Sequence, residues 1–317
     1  MSARADALPK NARLLFVHAL SPLHAGTGQG IGVIDLPIAR ERATGLPFLP
    51  GSSIKGTLRD VCKTAGNRHC VPIFGPETEN AADHAGAAQF ADARLLLLPV
   101  RSLVGTFAWV TSPYILRRFV RDARETAVQD VPAAIPDPPP PDDPDGAAQC
   151  LVADQHCAIT YAPPQLRTPQ VFLEDLDLPA TGNPTVTSWA VWLAAQVFPG
   201  TDTATAAWRT HLAGRLCVVN DNVLTFLLNT ATEVTARIRL NPDTKTVDSA
   251  TGALWYEEAL PTETILAGLV VATPNGKTGL TGPQIFTEIA DLTDRTLQFG
   301  GKATVGRGLC RTTLAPQ

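Results

Sequence analysis

Residues 13–19 (RLLFVHA) form an apolar run of strand length, and the stretch from Leu20 to Asp60 behind it restricts the fold more than any other part of the chain. Ser21-Pro22 ends the strand, and Gly26, Gly28, Gly30 and Gly32 then make a loop whose backbone can approach a ligand closely. Pro50-Gly51 precedes Ser52 and Ser53, whose hydroxyls are expected to cap a helix starting there. On that helix Ile54, Leu58 and Val61 share one face, while Lys55, Arg59 and Lys63 form a cationic stripe on another. Strand, glycine loop and cationic helix in direct succession suit a backbone that holds phosphates at a helix N-terminus.

Charge distribution sharpens this. The chain has 317 residues and a formal net charge of −4, so no general positive coat draws it to nucleic acid. Local charge decides contact, however. Arg40, Arg42, Lys55, Arg59, Lys63 and Arg68 face only Glu41 and Asp60 within residues 39–68. Arg94, Arg101, Arg117, Arg118, Arg121 and Arg124 face only Asp122 within residues 94–124. The six cysteines are scattered over a long chain, which predicts reduced, buried thiols and no disulfide framework. Cys62, His69, Cys70 and His84, or Cys150, His156 and Cys157, could in principle gather a metal, but neither set has paired CxxC spacing, and ordinary buried thiols are the favoured reading. The longest apolar runs fall far short of the roughly 20 residues that span a bilayer, and the N-terminus lacks an apolar signal core. A cytoplasmic protein with no membrane partner is expected.

Beyond the first helix, residues 67–88 read as irregular, 89–98 and 103–110 as strands, and 113–127 as a helix with Pro113 at its first position. Arg117, Arg121 and Arg124 line its outer side, either as a solvated face or as RNA contacts. Residues 130–147 carry four consecutive prolines and five Asp, predicting an extended, hydrated surface loop repelled by phosphate. Strands come next at 171–178 and 216–219, with helices at 188–198, 206–213 and 221–228. Residues 233–240 alternate apolar and polar, and 254–257 return as their partner in a hairpin with little core of its own. A strand at 265–272, a helix at 284–292, a glycine loop at 300–308 and a last strand at 309–313 complete an α+β pattern without a regular βαβ repeat.

Read as words, HAGTGQGIGVIDLPIARE (24–41) and TGLPFLPGSSIKGTLR (44–59), with FADAR (90–94), PVRSL (99–103) and GGKATVGRG (300–308), resemble the RAMP superfamily of CRISPR–Cas systems. Within it the similarity is to the backbone subunits of type III-B (Cmr) effectors, which slice target RNA. The resemblance runs in order along nearly the whole chain. It implies a single domain with a ferredoxin-like or RRM-like palm assembled from 13–66, 87–128, 165–220 and 263–314, helical finger insertions, and a β-hairpin thumb at 233–257. It implies guide crRNA, target single-stranded RNA, further copies of the chain in a filament and other Cmr-type subunits as partners. A divalent metal (Mg or Mn) and a cyclic-phosphate or 3′-phosphate product belong to the same expectation.

Three residues are candidates for the chemistry. Asp35, directly after the first glycine loop, suits a metal ligand or a base on a ribose 2′-OH; from the residues alone a turn or capping Asp is the favoured reading. The resemblance makes it the cleavage residue. His24 suits acid–base work or positioning of a phosphate, and Glu257, with Glu258 as the adjacent alternative, matches a family position near the site. Ala259 stands where relatives carry an aromatic residue. The RNA-contacting set is expected to comprise Arg40, Ser53, Lys55, Arg59, Gly301, Lys302, Gly306 and Arg307; the loop at 300–308 is not a Walker motif, because no Ser or Thr follows Lys302 directly. A filament subunit without slicing activity and a RAMP endoribonuclease that processes guide precursors are the alternatives.

Overall fold

The computed structural model describes residues 10–26, 34–77, 84–139, 148–165, 167–241, 243–247, 254–274 and 279–315. Its elements are, in chain order, β1 (Ala12–Ala19), β2 (Phe48–Leu49), α1 (Gly51–Thr64), α2 (Cys70–Phe74), β3 (Ala88–Phe90), β4 (Ala93–Arg101), β5 (Phe107–Thr111), α3 (Pro113–Ala123), β6 (Cys150–Val152), β7 (Gln170–Leu173), β8 (Leu176–Gly182), α4 (Pro184–Val197), α5 (Thr203–Ala213), β9 (Leu216–Val219), α6 (Asp221–Thr230), β10 (Glu233–Ile238), β11 (Leu254–Ala259), β12 (Ile265–Ala272), α7 (Gly282–Thr293), β13 (Thr296–Gln298) and β14 (Leu309–Leu314).

Four strands make the frame. They lie in the order β14-β1-β12-β4, and every neighbouring pair is antiparallel. Taken with α1 after β1 and α7 after β12, this is a β-α-β-β-α-β unit, the ferredoxin-like arrangement, with residues 102–264 inserted between its second and third strands. The insertion widens the same sheet through β5, β9, β6, β8 and β7, while β13 adds an edge beyond β14.

Helices cover both faces. Arg13 places its guanidinium 4.7 Å from the Phe286 ring centre on α7, whereas Phe16, on the other face of β1, lies 6.0 Å from Phe119 on α3. Because alternate side chains point to opposite faces, the middle of β1 has to be apolar on both. Leu14, Leu15, Phe16 and Val17 are accordingly all at most 1% exposed, each worth about 1.5–3 kcal/mol of burial. No helix among the described residues is long and apolar enough to cross a membrane.

Several sequence expectations are corrected. The region 67–88 contains α2, and Cys62 and Cys70 are joined in a disulfide, with Cα atoms 5.7 Å apart, because α2 folds back on the end of α1. His69 pairs with Glu288 on α7, and among the described residues no three His, Cys, Asp or Glu side chains gather as a metal centre. Residues 89–98 are two strands. The second strand expected at 103–110 starts only at Phe107, after Gly105 and Thr106 turn through left-handed backbone. Residues 171–178 form a hairpin turned at Glu174, whose φ is 50°. The proline segment is not wholly hydrated either. Trp189 and Trp192 on α4 donate to the carbonyls of Ala134 and Gln129, and Pro136 and Pro138 are buried. Residues 140–147 of that segment lie outside the described residues.

Neither Ser52 nor Ser53 caps α1. The helix begins at Gly51, whose N–H donates 2.8 Å to Asp92 Oδ1 from the neighbouring strand connection. A Cβ at Gly51 would sit 2.1 Å from the Phe90 carbonyl oxygen, so only glycine lets the helix start this close to the sheet. Asp92→Ala is therefore expected to lower stability by about 1 kcal/mol and Asp92→Asn by much less, since the amide keeps the acceptor; urea unfolding of both variants measures the difference.

Candidate active site

Strand β11 is the axis on which the candidate residues meet. It pairs with β10 in a two-stranded sheet of its own, Thr235 opposite Glu257 and Arg237 opposite Trp255. Two N-terminal stretches flank the other side of β11. Leu36 bridges to Glu257 in parallel, donating to Tyr256 O at 3.1 Å and accepting from the Glu258 N–H at 3.0 Å. Leu23 bridges to Leu260 in the antiparallel sense, immediately past the strand's end.

This pairing delivers the three expected residues to three successive positions. Asp35 is exposed, and its Oδ2 accepts from the Tyr256 N–H at 2.7 Å. His24 is buried, with Nδ1 2.6 Å from the Glu258 carbonyl oxygen. A carbonyl only accepts, so Nδ1 carries the proton and the other ring nitrogen is the acceptor in neutral His24. That second nitrogen lies beside Gly26 and the ring edge beside Gly301: a Cβ would come within 2.6 Å of it at Gly26 and within 3.3 Å of the ring at Gly301.

Glu257 is buried and surrounded by donors. Lys302 Nζ reaches Oε1 at 2.8 Å, Trp255 Nε1 reaches the same oxygen at 2.7 Å, and Arg237 Nε lies 3.3 Å from Oε2. Burial pushes its carboxyl up, but the bonds from Lys302 and Trp255 and the charges of Lys302 and Arg237 outweigh it and hold the group at about 2. Glu257 is thus a fixed anion at neutral pH. Arg237 and Trp255 were not singled out from sequence, though the signal was there. Trp255 lies two residues before Glu257 on the same face, and Arg237 is its cross-strand neighbour.

The expected RNA contacts divide into two groups. Ser53 and Gly301 line a groove of about 430 Å³ together with Gly26, Gly56, Thr57 and Gly300. Its walls come from the first turns of α1 and from two loops joined by backbone: Gly301 N–H donates to His24 O at 2.9 Å, and Gly308 N–H to Pro22 O at 2.9 Å. At Gly300, φ is 74° and a Cβ would meet the His24 carbonyl oxygen at 2.2 Å, which requires glycine. Lys55, half-buried on α1, has no ion pair among the described residues. Gly306 sits in open space with φ at 76°.

The second group is committed internally. Arg40 donates to Glu258 Oε1, Leu228 O and Gly45 O. Arg59 donates to Pro76 O and shares Glu77 with Lys63. Lys302 holds Glu257, and Arg307 pairs with Glu233 at 3.0 Å. The loop around Lys302 and Arg307 therefore braces the base of the β10–β11 hairpin. Gly28, Gly30 and Gly32 of the first glycine loop lie outside the described residues.

Because the Glu257 carboxyl titrates lower when folded, the unfolded chain takes up its proton first on acidification. Its contribution to stability is full above about pH 4.5 and is lost as pH falls toward about 2. Glu257→Gln is expected to flatten that part of the acid limb. Unfolding curves collected across this range should have a shallower dependence on pH than wild type, and an unchanged dependence would contradict the ion-pair assignment.

Comparison with known proteins identifies the family. A model of the RAMP superfamily matches residues 16–311. The CRISPR system Cmr endoribonuclease Cmr4 of Pyrococcus furiosus is 34% identical over 307 residues, covering 96% of this chain and 95% of the relative. The crystal structure of oligomeric Cmr4 from Pyrococcus furiosus has a TM-score of 0.68 at 28% identity, covering 96% of this chain and 98% of that one. A chain of the type III-B Cmr-beta complex bound to cognate target RNA, seen by cryo-EM, has a TM-score of 0.67 at 20% identity over 96% of each chain, a likeness of fold. With its ferredoxin-like frame, its glycine-walled groove and this extent of similarity, the chain belongs to the RAMP superfamily and, within it, to the Cmr4 family.

Proposed function

We propose that the chain is an endoribonuclease and the backbone subunit of a type III-B CRISPR ribonucleoprotein. Copies of it line up along a guide crRNA beside other Cmr-type subunits, and each cuts complementary target single-stranded RNA at regular intervals. The observation that carries this reading is the convergence of Asp35 and His24 on backbone groups of β11 two residues apart, with His24 beside a groove walled by glycines and the start of α1. The relative of similar length named an endoribonuclease supports the activity, and the oligomeric relative supports the filament.

In this reading the ferredoxin-like unit is the palm, the helical insertions are fingers, and β10–β11 is the thumb. Val234, Ile238, Leu254 and Tyr256 are 41–54% exposed on that hairpin, an apolar surface suited to stacking against bases. A hairpin wedged into the guide–target duplex displaces a target nucleotide, which leaves A-form geometry. Its 2′-OH then aligns in line with the adjacent phosphorus. Asp35, exposed and anchored through one oxygen, takes the 2′-OH proton. The 2′-oxygen attacks phosphorus, the 5′-oxygen leaves with a proton taken from water, and a 2′,3′-cyclic phosphate remains. His24, with its proton held on Nδ1, offers its other nitrogen to orient the reacting ribose or phosphate.

A divalent metal, Mg or Mn, would find one protein carboxylate here, Asp35, because Glu257 and Glu258 are each paired with cations. That fits a cation held largely by substrate phosphates and water, which would neutralise charge on the scissile phosphate.

Asp35→Asn keeps the acceptor for the Tyr256 N–H and removes the charge. Target affinity is expected to stay near wild type while single-turnover cleavage by the assembled complex falls on the order of 10²-fold or more. Cleavage at the wild-type rate would make Asp35 only a turn residue and would remove this loop from the cleavage site. For guide binding, Lys55→Ala is expected to flatten the log–log salt dependence by about 0.7. Arg59→Ala should change it less, since that guanidinium already serves Glu77 and Pro76.

A further inference from the structure

We propose that Glu258 is a positioning residue for the cleavage reaction: one buried carboxylate that holds the segment bearing Asp35 in register along β11. The inference rests on the function proposed above and concerns how its site is held.

Glu258 is 3% exposed, and each of its polar groups binds a different part of the site. Its N–H donates to Leu36 O at 3.0 Å, one residue beyond Asp35. Its carbonyl accepts from His24 Nδ1 at 2.6 Å. Its Oε2 accepts from the Ile38 N–H at 3.1 Å, and its Oε1 from Arg40 Nη2 at 2.6 Å. The backbone bonds would form beside any residue at this position. The two carboxylate bonds would not, and they fasten the stretch 38–40 just beyond the parallel bridge of Leu36 to β11.

Arg40 carries the restraint outward. It also donates to Leu228 O near the end of α6 and to Gly45 O in the next turn of the chain. Glu41, the next residue, is gripped by both terminal nitrogens of Arg118 on α3 at 2.7 and 2.6 Å. The segment bearing Asp35 is therefore tied at 36, 38, 40 and 41, and the bonds at 36, 38 and 40 all include Glu258. Removing its charge leaves Arg40 with no anion in a largely buried place and the Ile38 N–H without a charged acceptor. Slippage of that segment by about 1 Å is enough to cost on the order of 10²-fold in rate.

The test compares Glu258→Gln, Arg40→Lys and Asp35→Asn in assembled complex, with target affinity and single-turnover cleavage measured side by side. Glu258→Gln is expected to cut on the order of ten-fold or more slowly with target affinity within about twofold of wild type. Arg40→Lys, which keeps the charge but loses the fork, should show a smaller loss of the same kind. Introduced into Asp35→Asn, Glu258→Gln should add nothing, because it acts through Asp35. The proposal is overturned if both variants cut at the wild-type rate, if affinity and cleavage fall together, or if the two losses multiply. Asp35→Asn separates the two failures. Full activity in that variant sinks the catalytic role proposed for Asp35, whereas an inactive Asp35→Asn beside a fully active Glu258→Gln sinks only the role given to Glu258.

Discussion

The burial of β1 on both faces is the constraint on which the rest depends. A strand pinned between α7 on one side and α3 with α4 on the other cannot shift without opening the core. Its C-terminal end therefore delivers Pro22 to Gly26 to one fixed place. Those residues are in turn bonded through backbone to Gly301, Gly308 and Leu260. The core thus sets the position of the groove, and chemistry-bearing side chains are attached to a rigid floor instead of a free loop.

Electrostatics in this chain serve mostly internal geometry. Arg40, Arg59, Arg94, Arg118, Lys302 and Arg307 each meet a carboxylate of the same chain. Clusters of cations that read as phosphate contacts by local count are, in space, interleaved with acids from distant segments. Lys55 on α1 is an exception, with no ion pair among the described residues. The groove relies instead on glycine backbone and the start of a helix, which suits a chain of net charge −4.

Much of the frame was legible because both signals it uses are local. The strands at 216–219 and 265–272 have the bounds expected from their apolar runs, and Glu233 to Ile238 pairs with Leu254 to Ala259 as alternation implied. The site was legible in part: His24, Asp35 and Glu257 meet at β11, though nothing in their spacing shows that β11 threads between 23 and 36. The misses are long-range. Asp92 caps α1 from 41 residues away, Glu77 reaches α1 from a later segment, and Cys70 returns to Cys62 only because α2 folds back. The strand break at Glu174 depends on left-handed backbone at a residue that carries no glycine signal, and at Thr106 the left-handed turn extends one residue past Gly105.

A groove walled by Gly26, Gly56, Gly300 and Gly301 has few side chains with which to prefer one base over another. Under the proposed function this is indifference by construction. A clamp that met guide RNAs of different sequence with amides and hydroxyls would grip each alike. The same bareness makes the groove intolerant of change, since at Gly300 even a methyl group would collide with the main chain of His24. Discrimination between targets would then be left wholly to base pairing, with the protein acting as an impartial holder of whatever sequence it is given.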